Sequence, residues 1–350
     1  MTIRTPICDR FGIEVPIVQT GMGWVAGARL TSATANAGGL GILASATMTY
    51  DELRKAIFEV KDRAPGKNFG VNLRADQPDI GDRIDLLIAE GVRVASFAQA
   101  PSKDVIKKLK DHGVVTMPTI GAKRHAEKVA EWGVDAVIAQ GGEGGGHTGT
   151  VPTSLLLPQV CDTVDIPVIG AGGFHDGRGL VAALAWGADG VAMGTRFLLT
   201  SDSTVPEVIK RIYLGKTVND TVVSKAIDGH PQRVLRTEVV DELETSSLVT
   251  RLPKAVLRAL EFRKLTGTSY KDLVTEGLAM KRNQDLTWAQ LAMAANAPML
   301  IKATMVDGQP EVGILPTGQG VGVMDDLPSL ATLIAKIIAE ADATLTRLGA

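Results

Sequence analysis

The sequence predicts an α/β fold, a (β/α)8 TIM barrel with a smaller, mainly helical C-terminal cap domain, and three observations carry the prediction. Eight short, β-branched apolar runs recur every ~20 to 30 residues, the period of a strand-plus-helix unit. Amphipathic stretches lie between them, and Gly91, Gly113, Gly133 and Gly187 each stand just before the next run, where a left-handed helix cap belongs. Aromatic residues are only 4% of the 350-residue chain while glycines number 38, a mix that suits helix-on-sheet packing better than an aromatic-rich β-sandwich.

In chain order the strand candidates are VPIVQT (15–20), GLGILA (39–44), FGVNL (69–73), VRVASFA (92–98), VVTMPTI (114–120), DAVIAQ (135–140), PVIGAG (167–172) and GVAMGT (190–195). Their near-continuous apolar character is that of parallel strands covered on both faces, and eight such units can close into a ring. The helix candidates include DELRKAIFEVKD (51–62), SKDVIKKLKDHG (102–113) and KRHAEKVAEWG (123–133). The barrel is assigned residues 1–212, completed by about 290–350, and the cap residues 213–289. Within the cap, 251–282 hold eight Lys or Arg against three acids and read as helices over the barrel mouth. The stretch from Leu330 to Leu348 reads as one Ala- and Ile-rich helix that closes the ring from outside.

Several function classes are disfavoured. A net charge of -2 without a polybasic tail gives no nucleic-acid surface. Cys8 and Cys161 lack CxxC spacing, and the histidines never pair as HxxxH or HExxH, so neither a disulfide framework nor a metal site is expected. The start MTIRTPICDRFG has no apolar core of a signal peptide, and no run of about 18 uncharged apolar residues could span a bilayer. A cytoplasmic protein is expected. A homodimer stays open, with no self-complementary patch legible.

Barrel enzymes carry their chemistry on the loops after the strands. Here those positions are Thr20-Gly21-Met22-Gly23, Asn72, the run Gln140 to Gly149, Gly170-Ala171-Gly172-Gly173, and Gly194-Thr195. Glycines let backbone amides approach a ligand, although each alone also serves a tight turn. After the last two strands, where barrels hold phosphate, stand Gly172, Gly173, Gly194 and Thr195. A Rossmann site fits less well, since GAGGFHDG has His175 where the third glycine belongs and the later acidic position is Met193. One phosphate beside strand-end amides suggests FMN, with Asn72 and Gln140 along the pyrimidine edge and Met22 and its neighbours against the ring. His147 is the histidine of the glycine-rich loop, and an imidazole there can act as base or acid. His112 and His125 lie on polar helix faces, His175 can start a helix, and His230 carries a weaker signal.

PIVQTGMG (16–23), AGGLGILAS (37–45), FGVN (69–72), QGGEGGGHTG (140–149), PVIGAGGFHDG (167–177) and DGVAMGTRFLLTSDS (189–203) resemble the nitronate monooxygenase (2-nitropropane dioxygenase-like) family in order and spacing. The resemblance implies an FMN-bound barrel with a smaller second domain. It implies FMN contacts from Gly21, Met22, Gly23, Asn72, Gln140, Gly145, Gly146, Ala171, Gly172, Gly173, Gly194 and Thr195. His147 becomes the catalytic base, and Lys123 stands near a position that reaches the flavin in some members. The family also includes enoyl thioester reductases of fatty-acid synthesis. The segments 20–49 and 318–329 are most similar to members that reduce the CoA thioester of a hydroxylated methyl-oxo-indene carboxylic acid in bacterial steroid ring degradation, and Gln319 is the substrate candidate there. A CoA thioester brings phosphates that the basic segment 251–282 suits, though such a run is equally a solvated helix face.

Three readings follow. A reductase takes electrons from NADH or NADPH and reduces an unsaturated thioester. A monooxygenase oxidises a nitroalkane or nitronate with O2. A non-enzymatic flavin-binding protein turns over nothing.

Overall fold

A computed structural model describes residues 3–245 and 288–349. Its centre is a closed parallel barrel. The strands are β1 (Ile17–Gln19), β2 (Leu40–Ala44), β3 (Gly70–Leu73), β4 (Val94–Phe97), β5 (Val115–Ile120), β6 (Val137–Gln140), β8 (Val168–Ala171) and β9 (Gly190–Met193), and β9 pairs back onto β1. All eight expected runs are barrel strands, and the glycines expected to cap the intervening helices have φ of 63° at Gly91, 74° at Gly113, 85° at Gly133 and 91° at Gly187.

The helices between the strands follow from local signals. In α3 (Tyr50–Arg63) a capping box joins Thr49 and Glu52 at the start, and Leu53, Ala56, Ile57 and Val60 repeat at helical spacing. That stripe packs on Leu43 and Val71 of the barrel wall. The box satisfies two otherwise orphaned amides, worth about 1 kcal/mol, while packing of the stripe supplies the larger share of the helix's stability.

The bottom of the ring is plugged. Helix α1 (Pro6–Phe11) precedes the first strand, and its Ile7, Cys8 and Phe11 are fully buried. They join Val18, Leu40, Ile42, Val94, Met117, Ile138 and Ile169 in one apolar cluster inside the barrel. Thr5 hydroxyl donates to the Asp189 carbonyl just below β9. The Arg93 guanidinium donates from Nε to the Arg10 carbonyl at 3.1 Å, just below β4.

The wall is closed from outside by a helix at residues Leu330–Leu348, the span expected from the sequence. It packs on the helix Gly177–Ala185 and on Ala28–Asn36, bridging the seventh and first units of the ring. The approach is close at Gly177, where a Cβ would lie 2.3 Å from the Ala341 amide nitrogen and the Ile337 carbonyl.

A second, antiparallel sheet stands above the mouth, in the order β10 (Thr221–Ser224), β11 (Gln232–Leu235), β7 (Gly146–His147). The sequence reading made 213–289 mainly helical and 140–149 a loop. In the described part of that region, two β-branched runs either side of an Asp-Gly turn form a hairpin, followed by a helix at Glu238–Thr245. Most of the expected cap, including 251–282, lies outside the described residues. Among the described residues no helix is long and apolar enough to cross a membrane.

Candidate active site at the barrel mouth

The loops after β1, β6, β8 and β9, with the end of β3 and the segment at Gly318, build one surface. A Cβ on Gly21 would lie 2.5 Å from Asn72 Cβ, so the first loop touches the end of β3. A Cβ on Gly194 would sit 3.3 Å from Thr20 Oγ1 and 3.5 Å from Met22 Sδ, which brings the first and last loops together. The Gly318 amide donates to Thr195 Oγ1 at 2.8 Å, and a Cβ on Gly145 would meet the Gly318 nitrogen at 2.5 Å. Gly172, with φ of 99°, faces the Gly141 carbonyl and the Gly144 nitrogen, each 3.1 Å from a Cβ built there. Met22, Asn72, Gly145, Gly172, Gly194 and Thr195 therefore form a continuous lining.

The residues fit a flavin mononucleotide. Among the described residues, the amides of Gly173, Gly194 and Thr195 donate to no turn or loop carbonyl, so they are free for an anion. A side chain at Gly172 would strike Thr153 Oγ1 and the Gly141 carbonyl, and one at Gly194 would crowd Thr20 Oγ1 and Met22 Sδ, so these loops approach as closely as glycine permits. Asn72 spends one amide hydrogen on Ser96 Oγ at 3.3 Å, and Gln140 spends one on the His147 carbonyl at 2.7 Å. Each keeps a carbonyl oxygen and a second N–H for a heterocycle edge. Ala171, the buried last residue of β8, accepts the Gly141 amide at 2.9 Å and so fixes the start of the loop. Gly23 continues the first loop into Trp24, whose positive φ of 64° and indole bond to the Pro298 carbonyl tie that loop to the helix Trp288–Met305. Lys123 is not brought to this lining by any bond: its amine faces Glu127 at 3.6 Å, half exposed, at the start of the helix after β5.

His147 pairs with Gln232, and Gly146 with Arg233, in the small sheet. Its Nε2 lies 2.7 Å from Asp228 Oδ2; the imidazole side chain is 65% exposed and the carboxylate 8%. The ring is thus open to a ligand while its partner is closed to water. Burial alone pushes the Asp228 carboxyl up, but bonds from His147, the His230 amide and Gln232 outweigh it and hold it below the usual carboxylate value. Arg233 donates to the Gly142 carbonyl from Nε at 3.2 Å and Nη2 at 2.9 Å. Glu143 accepts the amide and hydroxyl of Thr153 at 2.9 and 2.7 Å, so both ends of the glycine loop are held. Gln319 stands in the strap beside this loop, its amide on the Glu143 carbonyl at 2.8 Å and its side chain 3.4 Å from the Val218 carbonyl.

An exposed imidazole on a buried carboxylate thus stands in the glycine-rich loop at the barrel mouth, and the nitronate monooxygenase model matches residues 4–340. The chain belongs to the nitronate monooxygenase family. It is an oxidoreductase of that family, whose members are generally flavin-dependent. Two relatives named (3aS,4S,5R,7aS)-5-hydroxy-7a-methyl-1-oxo-octahydro-1H-indene-4-carboxyl-CoA dehydrogenase are similar over nearly the whole chain. The one from Mycobacterium tuberculosis is 59% identical over 97% of each chain. The one from Rhodococcus jostii is 58% identical over 100% of this chain and 99% of the relative. A probable nitronate monooxygenase from Staphylococcus aureus is 31% identical over 69% of this chain and 80% of its own. Among solved structures, FabK from Thermotoga maritima is 34% identical with a TM-score of 0.80, each chain being covered to 99%.

Sequence reasoning on this family member passed over Asp228, Gln232, Arg233 and Glu143. Glu143 lay inside a quoted motif but carried no signal of its own. Asp228 opens an Asp-Gly-His-Pro turn, a pattern that marks a turn and says nothing of the imidazole 81 residues away.

Proposed function

We propose that the chain binds FMN at the barrel mouth and moves hydrogen across the Cα–Cβ bond of the CoA thioester of a hydroxylated methyl-oxo-indene carboxylic acid. The observation that carries the chemistry is the exposed His147 imidazole beside the glycine lining. Identity of 58% and 59% to two relatives named for that thioester supports the substrate. FMN, when bound, supplies two-electron acceptance and return of hydride.

The amides of Gly173, Gly194 and Thr195 are proposed to hold its phosphate, Asn72 and Gln140 its pyrimidine edge, and Gly21 and Met22 its ring. In the direction the relatives are named for, the hydrogen on the carbon next to the thioester carbonyl leaves as a proton to His147. The β-hydrogen would leave with its electron pair, for which bound FMN would supply the acceptor, and a carbon–carbon double bond would form. In the reductase direction His147 returns the proton and NADH or NADPH supplies the electrons. The thioester carbonyl acidifies the α-hydrogen, so a side-chain base beside it has a removable proton to take.

The likeness to named nitronate monooxygenases favours a second reading, in which His147 takes the proton beside a nitro group and O2 receives the electrons. The test has an anaerobic arm, read by flavin absorbance, and an arm in air, read by oxygen uptake. The purified protein should be yellow and release FMN on heating. Its absorbance should bleach on mixing with the saturated thioester, or with NADH or NADPH. Oxygen uptake driven by a nitronate, with no bleaching by the thioester, selects the second reading. A colourless protein that takes up no flavin on reconstitution ends both.

A further inference from the structure

Asp228 is unused in the proposed reaction, yet three groups lie against its carboxylate. Its Oδ1 accepts the His230 amide at 3.0 Å. Its Oδ2 accepts the Gln232 side-chain amide and faces His147 Nε2 at 2.7 Å. The turn makes this geometry attainable: Gly229, at φ of 92°, reverses the chain so that the His230 amide points back at the carboxylate.

Three donors converge on one carboxylate, and such a group is ionised and acceptor-only. The His147 nitrogen facing it must then be the one that carries hydrogen. Gln232 Nε2, 3.2 Å from His147 Nε2, donates to the same oxygen and offers the ring no lone pair. In neutral imidazole one nitrogen carries the proton and the other the lone pair, and the partner of the first decides which is which.

We infer that Asp228 is the positioning residue of the site: it takes the Nε2 hydrogen of His147, so that Nδ1 is the atom that accepts the substrate proton and later returns it. The ring is further fixed by its own strand. The His147 carbonyl accepts from Gln140 at 2.7 Å, and β7 pairs with β11, which also carries Gln232. One short sheet therefore delivers the imidazole and a ligand of its carboxylate partner together. His230 stands edge-on to the His147 ring with centroids 6.0 Å apart, on the side of the turn.

The inference deepens the reading of His147 as the proton-moving group, and the experiment separates the two. In the holoenzyme labelled with 15N-histidine, long-range proton–nitrogen correlations read the tautomer of each imidazole, and His147→Ala identifies the signal. The expected result is an Nε2–H tautomer at neutral pH. In Asp228→Asn the side-chain amide presents a hydrogen where the carboxylate accepted one, so the signal should move toward Nδ1–H. Flavin should be retained, kcat should fall on the order of 10²-fold, and KM should stay within about two-fold, because a base with its lone pair misdirected loses chemistry rather than binding. Gln232→Leu leaves the carboxylate in place and should keep the Nε2–H signal. An Nδ1–H tautomer in the unaltered enzyme overturns the inference without any variant, as does an unchanged tautomer and kcat in Asp228→Asn. Retained turnover in His147→Ala overturns instead the reading of His147, and leaves the tautomer as measured.

Discussion

At the strand starts, the side chains of Ile7, Cys8 and Phe11 fill the ring until no water reaches them. At the strand ends, Gly145 and Gly173 are exposed and the His147 side chain is 65% open to solvent. The same eight strands thus end in an apolar plug on one side and a backbone-lined rim on the other. The floor gains stability from burial, roughly 25 cal/mol per Å² of apolar surface. The mouth buries little and leaves amides without partners, so its shape depends on ties from outside the barrel: Arg233 on the Gly142 carbonyl, Glu143 on Thr153, and the strap at Gly318 on Thr195. Stability and chemistry are separated along the barrel axis.

That separation can be tested from both ends. At the mouth, His147→Ala should lower kcat/KM by about 10²- to 10⁴-fold while the thermal midpoint and flavin content hold. Steady-state rates beside a melting curve would show it, and equal turnover removes His147 from the chemistry. At the floor, Phe11→Ala should do the reverse. Deleting a fully buried ring costs about 3–5 kcal/mol in denaturant unfolding, with kcat per bound flavin unchanged. A fall in kcat there would mean that the plug and the rim are coupled.

Two arginines sharpen the contrast at smaller scale. Arg233→Ala removes two charge-assisted bonds to the Gly142 carbonyl, and kcat/KM should drop by about 10-fold or more, at about 1.5–3 kcal/mol per such bond. Its stability should change less than its rate. Arg93→Ala, which loosens the end of α1 by removing donors from the Arg10 carbonyl, should cost about 1 kcal/mol of stability and nothing in rate. If the two arginines behave alike, the division between floor and mouth is wrong.

The barrel was legible because each of its units announces itself locally. A run such as VVTMPTI followed by the amphipathic stretch KRHAEKVAEWG needs no distant partner to be recognised, and residues 114–120 indeed hold β5. The site was legible in part for the same reason, since glycines and polar groups at strand ends fall on one rim once the strands are counted. The hairpin at 221–235 was not legible as such, because TVVS and QRVL are each only four residues long and short apolar runs do not distinguish strand from helix. Lys123 shows the opposite difficulty: a resemblance placed it near the flavin, and its described partner is Glu127 on its own helix.

The sequence by itself determined the eight-fold alternation, the glycine rim and the presence of one imidazole in the longest glycine-rich loop, all of which depend on neighbours within a few residues. Only the tertiary structure decided that β7 pairs with β11, and with it that Asp228 stands 2.7 Å from His147. Periodicity reports which face of an element is apolar, whereas the meeting of two polar groups 81 residues apart depends on how a sheet edge is paired, and no local pattern encodes that pairing.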